Sequence, residues 1–147
     1  MVRKAVGAIV LQKERFLLVN KTKINTNQGK QEISGEWDFV KGGVEDSDQN
    51  LTEAVLRELY EETGSREYKI VKEFTEKICF EFPEEIKSKI GYDKQETTMF
   101  LVELTGDANS LQPEDSEIWE FKLLEKNKVA DVLTHQDTKD YFLKYMK

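Results

Sequence analysis

The hydrophobic period of the chain changes several times, and each change marks an element. Ala5 to Leu11 is an apolar run of strand length that predicts a buried strand over Lys4–Leu11. Gln12-Lys13-Glu14 then turns it into a second strand, Arg15–Asn20, and the pair reads as a hairpin. Lys21 to Gly35 is mainly polar, with little apolar content, and predicts a mobile loop that covers a site, after which Glu36–Val40 alternates as a strand. From Leu51 the period becomes helical, with apolar residues at Leu51, Ala54, Val55 and Leu59, and Gly64 stands where a left-handed residue ends a helix. Tyr68 to Phe82 is rich in β-branched and aromatic residues, over a length that suits one long bent strand or two with a bulge, ending at Pro83. Glu84–Tyr92 reads as a lysine-bearing loop or helical turn, Thr97–Leu104 as a strand, Gly106–Ser116 as a loop and Glu117–Leu123 as a strand. Two helices close the chain, Lys126–Leu133 and Gln136–Met146, and the second carries Tyr141, Phe142, Tyr145 and Met146 at core spacing. His135, the only histidine, reads as a surface cap or loop residue. Strands mixed with one central helix and terminal helices make α/β layers.

Composition narrows the picture. The 147 residues are expected to form one domain, 1–147, around one core. A net charge of −7 argues against a duplex DNA partner, because nonspecific duplex binding needs clustered Lys and Arg; it leaves room for a phosphorylated ligand whose charge a metal and local lysines offset. One cysteine, Cys79, permits no internal disulfide and sets the expected compartment as the cytoplasm. The Ala5–Leu11 run is too short to span a membrane and is followed at once by Gln12-Lys13-Glu14-Arg15, so neither a signal peptide nor a membrane association is expected.

The chemistry concentrates between Gly42 and Gly64. On a helix Glu58 lies three residues before Glu61 and four before Glu62, so the three carboxylates can converge beside the small Ala54. Like charges so placed repel, and a divalent cation among them removes that cost; oxygen-only ligands suit Mg²⁺ or Mn²⁺. An arbitrary Glu-Glu pair is far more often a solvated face. Asp46, Asp48 and Asn50 begin like a calcium-binding loop, but Leu51 stands where that loop needs Gly and Arg57 where it needs its closing Glu. Gly42 and Gly43 let backbone approach a phosphate, and Lys41 adds a point charge.

The same stretch resembles the Nudix box: Gly43, Arg57, Glu58, Leu59, Glu61, Glu62 and Gly64 match at the correct spacing. Six fixed identities coincide by chance at a given start roughly once in ten million. Gln49 stands in place of the pattern's first Glu, which in the family supports the box Arg, and Ser65 replaces its final aliphatic residue. Gln49 can accept a hydrogen bond from Arg57 without charge assistance.

The resemblance implies the Nudix fold, a mixed β-sheet sandwiched between α-helices, and a metal-dependent pyrophosphohydrolase acting on a nucleoside diphosphate linked to another group. Arg57 would orient the carboxylates and Glu58 or Glu61 would be the base. Gly42, Glu58, Glu61, Glu62 and a distal acid would hold Mg²⁺ or Mn²⁺. That distal acid is Glu117, with Asp115 and Glu114 behind it, because Glu117–Leu123 is similar to the family's Glu-Ile-x-Glu-x-x-aromatic strand. Phe80-Glu81-Phe82-Pro83 and Gln95 resemble motifs of dinucleoside tetraphosphate hydrolases and RNA 5′-pyrophosphohydrolases, with Phe80, Lys94, Thr97 and Met99 as departures. Lys41, Phe80, Phe82 and Gln95 are accordingly the expected substrate contacts, with Lys87, Lys89 and Lys94 flanking. The implied partner is a small nucleotide or an RNA 5′ end, handled by a monomer or homodimer. Two other readings stay open: a MutT-like nucleoside triphosphate pyrophosphatase, and a noncatalytic nucleotide sensor suggested by Gln49 and by the partial Phe80–Gln95 motif.

Overall fold

A computed structural model describes residues 1–26, 29–112 and 118–146. Its strands are β1 (Val2–Gln12), β2 (Arg15–Thr26), β3 (Gly29–Asp38), β4 (Val40–Gly43), β5 (Tyr68–Glu73), β6 (Ile78–Glu81), β7 (Lys94–Leu104) and β8 (Ile118–Glu125). The helices are α1 (Leu51–Thr63), α2 (Glu84–Ile90), α3 (Lys126–Val132) and α4 (Gln136–Tyr145). β1 is the centre of one mixed sheet, parallel to β7 and antiparallel to β2 and β4; β2 carries β3 and β8, and β7 carries β5 and β6. No helix among the described residues is long and apolar enough to cross a membrane.

Side chains alternate across a strand, so one apolar run feeds two cores. Val6, Ala8 and Val10 of β1 pack with Ala54, Val55 and Leu59 of α1. Ile9 joins Met99, Val129, Tyr141 and Phe142 on the other face, under α3 and α4. This is why Ala5–Leu11 shows no alternation: both faces of β1 are covered. α1 starts where the Asn50 side chain accepts from the Glu53 amide at 2.8 Å, and it stops at Gly64, whose φ of 72° lets its N–H reach the Tyr60 carbonyl.

The largest departure from the sequence reading concerns residues 21–35. Among the described residues of that stretch a strand pair stands in place of the expected loop: β2 continues to Thr26, β3 begins at Gly29, and the two pair antiparallel with a bulge between Lys21 and Lys23. Backbone pairing needs no apolar residue, so a polar ribbon leaves no hydrophobic period to read. The expected Glu36–Val40 strand is split at Phe39, where the chain leaves β2 for β1; the Asp38 carboxylate accepts the Phe39 N–H at 2.7 Å at that corner. Tyr68–Phe82 resolves into β5, with a bulge between Ile70 and Lys72, and β6, both on β7. His135 is exposed and pairs with Glu36 at 2.9 Å.

Phe142 ties the second core together, with its ring edge-on to Phe16 at 5.1 Å and tilted against Phe39 at 5.8 Å. Replacing a buried aromatic by alanine forfeits both burial and packing, so Phe142→Ala should lower the unfolding free energy by about 3–5 kcal/mol in urea denaturation.

Candidate active site

Gly42 and Gly43 are neighbours on β4, and their missing side chains open opposite faces of the sheet. A Cβ on Gly42 would lie 2.0 Å from Glu58 Cδ, so the Glu58 carboxylate rests directly over the glycine backbone on the α1 side. A Cβ on Gly43 would lie 2.7 Å from Arg3 Nη2, so Arg3 makes the equivalent approach on the other face. Any other residue at position 42 would expel Glu58.

Arg57 organises the charges around this point. Its Nε and Nη2 each reach Asp48 at 2.9 Å, and Nη2 also donates to the Gly43 carbonyl at 2.8 Å. Nη1 donates to Glu58 at 2.9 Å and to Glu61 at 3.1 and 3.2 Å, and pairs with Glu45 at 3.1 Å. The Asp48 side chain is only 2% exposed, whereas Gln49 is exposed. The expected Arg57–Gln49 contact is therefore replaced by a charge-assisted, two-point pair one residue earlier. Asp48 was missed because the box pattern directs attention to position 49; the available signal was an acid next to a position that calls for one. The Arg57 guanidinium holds the Asp48 carboxyl below the usual carboxylate range, and Asp48 in turn keeps Arg57 firmly charged.

The three helix acids differ sharply. Burial pushes the Glu58 carboxyl up to about 7; Arg57 opposes that rise and Glu61 adds to it. Glu61 is 38% exposed and Glu62 only 1%. Glu62 lies 3.8 Å from Lys21 Nζ, which donates to the Lys41 carbonyl at 3.1 Å. Among the described residues the acids are thus gathered around Arg57 and Lys21, and no three of them already surround one point closely enough to hold an ion. The donor chemistry nevertheless fits Mg²⁺ or Mn²⁺: carboxylate and carbonyl oxygens only, one carboxylate buried, and a glycine cradle that a Cβ would fill. Glu117, Asp115 and Glu114, expected as the distal acid, lie outside the described residues.

The residues expected to contact substrate fall on the face opposite α1. Lys41 donates to Thr138 Oγ1 at 2.8 Å and pairs with Asp38 at 3.2 Å, which anchors α4 to β4. Phe80, Gln95 and Arg3 are consecutive across β6, β7 and β1 and so share one row. Within that row Gln95 is buried, accepting from Arg3 Nη1 at 2.6 Å and donating to Thr97 Oγ1 at 3.1 Å. Phe80 is 39% exposed and sits edge-on to Phe82 with centroids 5.0 Å apart. Arg3, absent from the sequence reading, brings this row to Gly43 and hence to the Glu58 end of β4.

A family model described as the Nudix domain matches residues 1–146. The chain belongs to the Nudix family. An RNA pyrophosphohydrolase of Bartonella bacilliformis is 31% identical over 125 residues, covering 81% of this chain and 73% of that relative. Another, of Nitratiruptor, is 35% identical over 95 residues, covering 63% of this chain and 61% of its own length, which is less than two thirds. Among solved structures, the MutT protein of Methanosarcina mazei superposes with a TM-score of 0.73 at 23% identity, over 99% of this chain and 93% of that one. A C. elegans Ap4A hydrolase complex gives 0.70 at 18%, over 98% and 95%. At these identities the two structures establish likeness of fold. The Nudix box helix is α1, and Asp48 supplies the charge that Gln49 lacks.

Two outcomes follow for this Nudix site. Asp48→Asn should release Arg57 from its two-point partner and leave Glu58 and Glu61 loosely held, lowering Mn²⁺ affinity by about tenfold, the low end of the scale for losing a residue that orients metal ligands, as measured by calorimetry. Because Glu58 binds its proton more tightly folded than unfolded, its contribution to stability is fully present below about pH 4.5 and is lost as pH rises through 7. Metal-free Glu58→Gln should therefore be more stable than the parent at pH 8, by on the order of 1–3 kcal/mol, with the gap closing near pH 5. Thermal melts across that range read the difference.

Proposed function

We propose that this Nudix protein is a metal-dependent pyrophosphohydrolase that cleaves a phosphoanhydride in a nucleotide bearing a polyphosphate chain, with a triphosphorylated RNA 5′ end or a dinucleoside polyphosphate as substrate. The observation that carries the reading is the Arg57–Asp48 clamp with Glu58 seated over Gly42, which holds the acidic end of α1 in place despite Gln49. The relatives named RNA pyrophosphohydrolase support the substrate class. The sensor reading rested on Gln49 and on the partial Phe80–Gln95 motif, and the Asp48–Arg57 pair weighs against the first of these.

Glu58, Glu61, Glu62 and the Gly42 carbonyl would hold the cation, with Glu117 as a further ligand. A bound Mg²⁺ or Mn²⁺ supplies Lewis acidity and neutralises charge on the phosphoanhydride. Glu58 is the residue suited to accept the proton of the attacking water, since it lies over the glycine backbone where a phosphate can approach. Glu61 shares the Arg57 nitrogen that orients Glu58. On the opposite face Phe80 offers an exposed ring for a base, worth roughly 1–3 kcal/mol when stacked, and Arg3 a guanidinium for phosphate.

Turnover with Mg²⁺ and with Mn²⁺ should favour triphosphorylated RNA or diadenosine tetraphosphate over deoxynucleoside triphosphates, ADP-ribose and a nucleotide sugar, and should stop with chelator. A preference for deoxynucleoside triphosphates would move the assignment to the MutT-like reading, and one for ADP-ribose or the sugar would defeat it. Glu61→Gln should keep the fold and cut turnover by about a hundredfold or more. Gln49→Glu should leave the rate within about threefold, since the charge it restores is already present at Asp48; a large gain would revive the sensor.

A further inference from the structure

Lys21 lies beside Glu62, one of the acids proposed to hold the cation. Its Nζ donates to the Lys41 carbonyl at 3.1 Å and stands 3.8 Å from Glu62 Oε1, so a backbone carbonyl and a buried carboxylate both face it. Those two oxygen types are what a hard divalent cation takes. The backbone is irregular at this residue on both sides: β2 shifts register against β3 between Lys21 and Lys23, and against β8 between Asn20 and Lys21. Bulges beside active sites re-aim side chains, and here the displaced side chain reaches under α1. The Lys21 side chain is 15% exposed against 1% for Glu62, so the ammonium retains a route to solvent that the carboxylate lacks.

We propose that the Lys21 ammonium is a resident counter-ion at the acidic end of α1, and that a divalent cation binds there by exchanging places with it. This rests on the reading of Glu58, Glu61 and Glu62 as metal ligands. A buried Glu62 needs positive charge nearby whether or not metal is present, and Lys21, 3.8 Å away, contributes it in the metal-free protein. When a divalent ion arrives, two cations a few ångströms apart in a partly buried site repel strongly, and the four-carbon stem of lysine lets the tethered one withdraw. Exchange also discriminates by charge: a monovalent ion brings no more than the ammonium it would displace, whereas Mg²⁺ or Mn²⁺ brings twice as much. Arg57 cannot play this part, since Asp48 and the Gly43 carbonyl pin it in place.

The test is titration calorimetry of the parent, Lys21→Met and Lys21→Arg with Mn²⁺ alone, paired with melts in the absence and excess of the ion. Lys21→Met should bind Mn²⁺ about tenfold more tightly, because the competing charge is gone. It should melt lower than the parent without metal, and at the parent's temperature once saturated. Lys21→Arg, which keeps the charge, should bind as the parent does. Should Lys21→Met fail to fold without metal, Lys21→Gln is measured in its place against the same expectations. Unchanged or weaker binding by the neutral variants would overturn the exchange, as would a melting deficit that persists at saturating Mn²⁺, since Lys21 would then be a structural strut. Failure of the parent itself to bind Mn²⁺ overturns both the exchange and the metal-site reading, whereas parent binding with indifferent variants overturns the exchange alone.

Discussion

The position of the Arg57 guanidinium governs the acidic end of α1. Its Nε and Nη2 grip both oxygens of Asp48, Nη2 also takes the Gly43 carbonyl, and Nη1 is left for Glu58 and Glu61. The segment between β4 and α1 is thereby tied to the helix at two places, by Arg57 from within and by Asn50 at the start. A planar, always-charged fork suits this; a lysine at position 57, a compact point charge, could not take both Asp48 oxygens side-on while also reaching the Gly43 carbonyl, Glu58 and Glu61.

The double glycine makes the second constraint. In a strand, two consecutive residues face opposite ways, so Gly42-Gly43 thins the sheet at one point for both layers at once. Glu58 occupies the space on the α1 face and Arg3 the space on the other. Acid chemistry and the Arg3–Gln95–Phe80 row, which stand on opposite sides of β1 and β7 elsewhere, come together only at this end of β4. Residues 41 and 42 part company for the same reason: Lys41 is turned to Thr138 and Asp38, away from the carboxylates its sequence neighbour supports.

These features were unequally legible in the sequence. α1 was readable because its apolar period, its spacing of acids and its terminal Gly64 agree with one another, and β1 and β7 because continuous apolar runs mean burial on both faces. The β2–β3 ribbon was not, since pairing by backbone alone leaves no pattern in polar residues such as Lys21 to Gly35. Within the site, residue types pointed to the correct chemistry but not to who holds whom. Asp48 takes Arg57 where Gln49 was expected, and Arg3 and Lys21 come from strands remote in sequence; such contacts depend on register and bulges that one chain's composition does not encode.

Charge balance at the proposed site bears on how its ligands would bind. Around the end of α1, Glu45, Asp48, Glu58, Glu61 and Glu62 face Arg57 and Lys21 among the described residues. Even with Glu58 partly protonated near neutral pH, acid exceeds base there, so a polyphosphate meets a repulsive field until a divalent cation has entered. The chain's overall charge of −7 adds to that field at low ionic strength and fades beyond a Debye length, which leaves the local imbalance as the deciding term. On the proposed function, such a surplus of carboxylates would make cation and phosphate recognition interdependent, since each ligand would remove the charge that excludes the other.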